Sequence, residues 1–94
     1  MHSSKGLLAE DVVAYATTIT AKLPYDVTVR ADYQGKYIKL RLYHISSERK
    51  FWNEPRLSGI TLLVNPNLLA EYNEKAIHMA IDALVSDIER KDHE

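Results

Sequence analysis

Two groups of residues in this chain have types and spacing that could do chemistry. His44 ends a strand-like run and could act as a general acid or base if a carboxylate oriented its ring. Nothing near it in the sequence supplies that carboxylate, and 94 residues leave little room for a substrate pocket. Glu74, His78 and Asp82 recur every four residues and so project from one face of a helix, a spacing that suggests metal ligands. Three ligands in line on a single helix do not readily surround an ion, and no other histidine is placed to help. The pattern reads instead as a solvated face with modest i,i+4 pairing. The chain has no cysteine, which removes thiolate nucleophiles, thiolate metal sites and disulfides together. Its three glycines, Gly6, Gly35 and Gly59, stand apart, so there is no phosphate-cradling loop. The expectation is a chain that is not an enzyme and holds no cofactor or metal.

Recognition chemistry is better represented. Tyr37, Lys39, Arg41 and Tyr43 occupy every second position of one run, and Arg30 lies on the run before it. Alternation sends these side chains to one face of a strand pair, where they form a basic surface interleaved with aromatics. Further on, Arg49, Lys50, Phe51, Trp52 and Arg56 set the only Phe and the only Trp of the chain between cations. Phe51 and Trp52 either cap an open end of the core or form a contact anchor, since Trp and Arg are enriched in interface hot spots.

The elements that must position these groups follow from periodicity. Asp26 to His44 reads as a hairpin, two alternating apolar runs around Gln34-Gly35, with Gly35 able to take the positive φ of a tight turn. Placing Val27, Val29 and Ala31 on one face with Ile38, Leu40 and Leu42 requires opposed positions whose numbers sum to an odd value. Ala31 opposite Ile38, Val29 opposite Leu40 and Val27 opposite Leu42 meet that condition, and this register sets Arg30 opposite Lys39. Leu7 to Leu23 carries Leu8, Val12, Tyr15, Ala16, Ile19 and Leu23 at helical spacing, with Ser3 or Ser4 available as a cap and Pro24 as the stop. Its opposite face, Ala14, Thr17, Thr18 and Ala21, is small and uncharged, which leaves room for a close neighbour. Ile45 to Ser58 reads as a long connection, and Gly59 to Val64 as a third strand with Thr61 and Leu63 outward. Asn65 and Pro66 then open a helix to about Arg90, with a break near Asn73 unsurprising and a frayed tail from Lys91. Leu69, Tyr72, Ala76, Ile77, Met79, Ala80, Ile81, Ala83, Leu84 and Ile88 cover about 200° of this helix, more than one sheet needs, so the surplus must meet the first helix or another copy.

The order is helix, three strands, helix: an α+β domain with a three-stranded antiparallel meander and two helices packed on one face. It is similar to the element order of the double-stranded-RNA-binding domain. Such domains have a lysine-rich start to the second helix, whereas Asn65 to Glu74 has no basic residue and two acidic ones, so the likeness is of order alone.

Twelve basic and thirteen acidic residues give a formal charge of −1, and thus no global field for nucleic acid or an anionic membrane. The first residues turn acidic before any apolar run long enough for a signal peptide, and no run approaches the ~18 residues of a membrane span. A single cytoplasmic domain with frayed ends is expected. Its expected function is a small interaction module, an adaptor or inhibitor, that binds a protein partner through the basic-aromatic face and the 45–58 connection. Nucleic-acid binding through the same face is the second expectation, and a homodimer through the last helix a third.

Overall fold

A computed structural model describes residues 8–46 and 56–92. The helix α1 spans Ala9–Thr20, the strands β1, β2 and β3 span Thr28–Gln34, Tyr37–Ser46 and Arg56–Val64, and α2 spans Ala70–Asp92. The strands form one antiparallel sheet in the order β1-β2-β3. This is the α+β meander that the periodicity predicts.

Parity in the hairpin is as expected, but the register is displaced by two residues. Ala31 pairs with Leu40 and Val29 with Leu42, and the turn falls on Gly35-Lys36. Gly35 has φ +63°. Both primed hairpin turns need positive φ at their first central residue. A turn on Gln34-Gly35 would put that demand on a glutamine, where the β-carbon resists it. The shift also replaces the expected Arg30–Lys39 opposition: Arg30 faces Arg41, and Asp32 faces Lys39.

The central strand supplies the floor of the core. Ile38, Leu40 and Leu42 are completely buried, with Val12 and Ala16 of α1 and Ile77, Ile81, Leu84 and Ile88 of α2 above them. Helix α1 lies mainly over β1, and α2 over β3 and β2, both on the same side of the sheet. The Ala14, Thr17, Thr18 and Ala21 face of α1 is exposed, so the neighbour allowed for there is not found among the described residues. Asp11 accepts the Leu8 N–H at 3.1 Å, and the Tyr33 hydroxyl of β1 accepts the Ala9 N–H at 3.1 Å, which caps the start of α1. The expected caps, Ser3 and Ser4, lie outside the described residues. After Thr20 the chain tightens into i→i+3 bonds, Lys22 to Ile19 and Leu23 to Thr20, before Pro24.

Four boundaries differ from the sequence reading, at the end of β2, the start of β3 and both ends of α2. Ile45 to Ser58 is not an unstructured connection at its ends: Ile45 pairs with Leu57 and Ser46 with Arg56, so β2 and β3 run longer. Helix α2 begins at Ala70 rather than Pro66, because Asn65 closes a separate turn: its side chain accepts the Asn67 N–H at 2.9 Å and its carbonyl the Leu68 N–H at 3.1 Å. The helix does not break at Asn73, whose buried amide donates to the Asn65 carbonyl at 2.8 Å. Lys91 and Asp92 continue α2 instead of fraying, and the Lys91 ammonium reaches the Leu57 carbonyl at 2.7 Å.

Candidate functional site

With both helices on one side, no described element covers the other side of the sheet. Alternation delivers Thr28, Arg30 and Asp32 of β1, Tyr37, Lys39, Arg41 and Tyr43 of β2, and Gly59, Thr61 and Leu63 of β3 to that side. Of the residues predicted to bind a partner, Arg30, Tyr37, Lys39, Arg41 and Tyr43 come together there. Arg56 opens β3, paired with Ser46. Arg49, Lys50, Phe51 and Trp52 lie outside the described residues.

The face is concave around Gly59. A hollow of about 440 Å³ is lined by Arg30, Arg41, Tyr43, Ile45, Leu57 and Thr61, with the glycine in its floor. Gly59 is not demanded by the backbone, since its φ lies outside the left-handed region and an added β-carbon would meet only Tyr43 Cβ at 3.4 Å and the Leu42 carbonyl at 3.5 Å. A glycine inside a strand costs roughly 0.5–1 kcal/mol relative to alanine. Here that cost coincides with an opening in the surface.

Charge at the hollow is unbalanced. Arg30 and Arg41 stand directly opposite each other, an unfavourable pairing. Arg41 is relieved by Asp32, whose carboxylate lies 3.1 Å from a terminal guanidinium nitrogen. Among the described residues Arg30 has no such carboxylate, so a cation beside aromatic and aliphatic side chains faces outward.

Ile45, Leu57 and Gly59 escaped the sequence reading for a physical reason. On the opposite, inner face, the aliphatic alternation gives way to polar residues at this end, where His44 pairs with Ser58. Ser58 is buried against α2 and bonds the Asp87 carboxylate. The signal that could have found the strand is the outer face, which continues through Tyr43 and Ile45.

The groups singled out for catalysis have other partners. His44 Nδ1 lies 2.9 Å from the Asp26 carbonyl, which can only accept, so this nitrogen carries the proton; its ring stands edge-on to Tyr25 at 5.7 Å. His78 stands edge-on to Tyr15 at 5.9 Å. Among the described residues no three His, Asp or Glu side chains converge as a metal site would require. A smaller cleft of about 160 Å³ between the helices is lined by Val12, Tyr15, Asn73, Glu74 and Ile77. Burial pushes the Tyr15 phenol above its ordinary value, and the charge of Glu74 adds to the shift. No described helix is long and apolar enough to cross a membrane.

No protein-family model, curated protein or solved structure matches the chain.

Proposed function

We propose that this chain is a small non-catalytic interaction module, an adaptor or inhibitor, that takes a protein partner on the open face of its sheet. The observation that carries the reading is the hollow around Gly59, where a strand gives up a side chain its backbone could hold. The chemistry it fits is an extended segment with an acidic residue next to an apolar one. The carboxylate pairs with Arg30 and offsets its repulsion by Arg41, while the apolar side chain fills the hollow between Tyr43, Ile45 and Leu57. The segment between β2 and β3, with Arg49, Lys50, Phe51 and Trp52, borders this surface in sequence and belongs to the same proposed contact. The setting that suits a cysteine-free module of this kind is the cytoplasm.

Nucleic acid is the competing occupant of this face, favoured by the cations interleaved with Tyr37 and Tyr43. The aliphatic side chains of Ile45, Leu57 and Leu63 and the Asp32 carboxylate on the same face favour protein. Self-association through α2 is part of the reading, because Tyr72 and Met79 remain exposed on that helix.

Selection from a displayed peptide library tests the main proposal. Enriched peptides should join Asp or Glu to an apolar residue and shift the amide resonances of Arg30, Arg41, Tyr43 and Gly59. Peptides without acidic residues, or shifts confined to the helices, would remove it. Tight binding of a single-stranded oligonucleotide that weakens steeply with salt would favour the nucleic-acid reading instead.

A further inference from the structure

The two edges of the sheet are not alike. β1 carries Arg30 and Asp32, the kind of charge that keeps an edge strand from pairing with another chain. β3 reads RLSGITLLV and has no charge and no proline after Arg56. Among the described residues no strand pairs with its outer edge, and Lys91 of α2 bonds the Leu57 carbonyl. Its outward-facing Leu57 and Leu63 are 60% and 53% exposed.

The flank of α2 above this edge is apolar over its first half and charged beyond, where Asp87 pairs with Arg90 and Lys91. His78, Glu74 and Asn73 mark the side of α2 that faces α1. Since α1 covers β1 and α2 covers β3, the opposite flank of α2 overhangs the free edge. Helical geometry puts Tyr72, Ala76, Met79 and Ala83 on that flank, and the exposed Leu69 immediately precedes the helix. Tyr72 and Met79 are 57% and 66% exposed.

We infer that β3 pairs with β3 of a second copy, antiparallel about Ile60, to make a continuous six-stranded sheet with the two α2 helices side by side. The inference rests on the self-association reading and names its surface. Opposed residues must share a face, so their numbers must sum to an even value. With Ile60 on the two-fold axis, all nine residues of β3 find a partner, and Leu57 of each copy lies beside Leu63 of the other. The two exposed leucines are thus symmetric about the strand centre, as an isologous interface requires.

The helix layer agrees with this register. Lys91 is tied to Leu57 and Asn73 to Asn65. The steps from Leu57 to Asn65, at ~3.3 Å each, and from Asn73 to Lys91, at ~1.5 Å each, both span roughly 26 Å. On that scale Ile60 is level with the turn that holds Ala83, a small side chain where the two helices approach most closely. A helix seated over β2 and β3 lies about 5 Å from an axis just outside β3, which sets the pair about 10 Å apart, within the usual packing distance. Leu57, Leu63, Leu69, Tyr72 and Met79 each offer on the order of 100 Å². Together with the backbone edge and the half-covered Ile60 and Leu62, this approaches the ~800 Å² per partner of a stable interface.

Light scattering over a dilution series, on the full chain and two double variants, tests the inference. Wild type should have twice the chain mass at high concentration. Leu57→Lys with Leu63→Lys sets lysine against lysine twice and should raise the dissociation constant roughly 100-fold. Leu57→Lys with Leu63→Glu sets lysine against glutamate twice and should stay within about tenfold of wild type. Both positions are exposed, and circular dichroism checks that each variant folds. A dimer unaffected by either variant overturns the edge pairing and leaves self-association through α2 standing. Equal disruption by both overturns the register. A wild type that stays monomeric at ~1 mM overturns self-association as well, and leaves the β3 edge to a strand from another protein.

Discussion

Tyr43 on β2 stands directly across the ladder from Gly59 on β3, and a β-carbon on the glycine would come within 3.4 Å of the tyrosine β-carbon. That contact is close but needs no backbone change, so Gly59→Ala should fold normally. It should raise stability by about 0.5 kcal/mol, as replacement of a strand glycine does. It should also weaken an acidic-apolar peptide about tenfold, because the methyl group enters the hollow. Urea unfolding and fluorescence titration check the two effects, which run in opposite directions only if the opening serves binding.

Arg30 makes the same separation through charge. In Arg30→Glu, the new carboxylate faces Arg41 and turns an unfavourable cross-strand pair into a favourable one, worth roughly 0.5–1 kcal/mol. The melting temperature should rise by a few degrees. Binding of an anionic peptide should fall at least tenfold.

Gly35 is the one described residue whose backbone demands glycine, with φ +63° at the first position of the β1–β2 turn. Gly35→Ala should cost about 1–2 kcal/mol, since a β-carbon in the left-handed region crowds the following carbonyl. Gly35→Asn should cost less, because asparagine tolerates that region. Thermal melts of the two variants give the comparison.

Asn73 joins α2 to the turn that precedes it, its buried amide donating to the Asn65 carbonyl at 2.8 Å. Asn73→Leu fits the apolar surroundings but removes one of the two hydrogen bonds to that carbonyl, which keeps the Leu68 N–H, at a cost of about 0.5–1.5 kcal/mol. Hydrogen exchange should quicken first at Leu68 and in the opening turn of α2.

Acid should loosen the opposite end of α2. Burial acts to raise the Asp87 carboxyl, but hydrogen bonds from Lys91, Arg90 and Ser58 and the charge of Lys91 outweigh it, and the group sits below its ordinary value of 3.8. The folded state therefore favours the ionised form. The stabilisation is complete above that ordinary value and is lost as the pH falls through the depressed one. Asp87→Asn should lower stability at about pH 6, and the difference should shrink as the pH is taken progressively below the ordinary value, as urea midpoints across that range would report.

The core and the order of elements were legible in the sequence because aliphatic side chains repeat at the periods of strand and helix. Val12, Ala16, Leu40, Leu42, Ile81 and Leu84 all announce their faces in this way. Parity in the hairpin was legible for the same reason. The register was not, because parity permits any even displacement and only the demand for positive φ at Gly35 chooses among them. The basic half of the candidate site was readable from the alternation Tyr37, Lys39, Arg41, Tyr43. The apolar half was hidden, because Ser58 interrupts the inner alternation and its partner, Asp87, lies on a distant helix. The start of α2 was misplaced because Asn65 and Pro66 suit an isolated turn as well as a helix.

The inner surface of the sheet changes character along its length, from Ile38, Leu40 and Leu42 to His44 and Ser58. One end of the sheet is consequently held by solvent-averse contact alone, while at the other titratable and hydroxyl groups join the buried Ile88. The two ends answer to different agents: urea acts on both, while acid and added salt selectively release the region where Asp87 and Lys91 anchor β3. A chain built this way can loosen the rim of its open face without melting its centre.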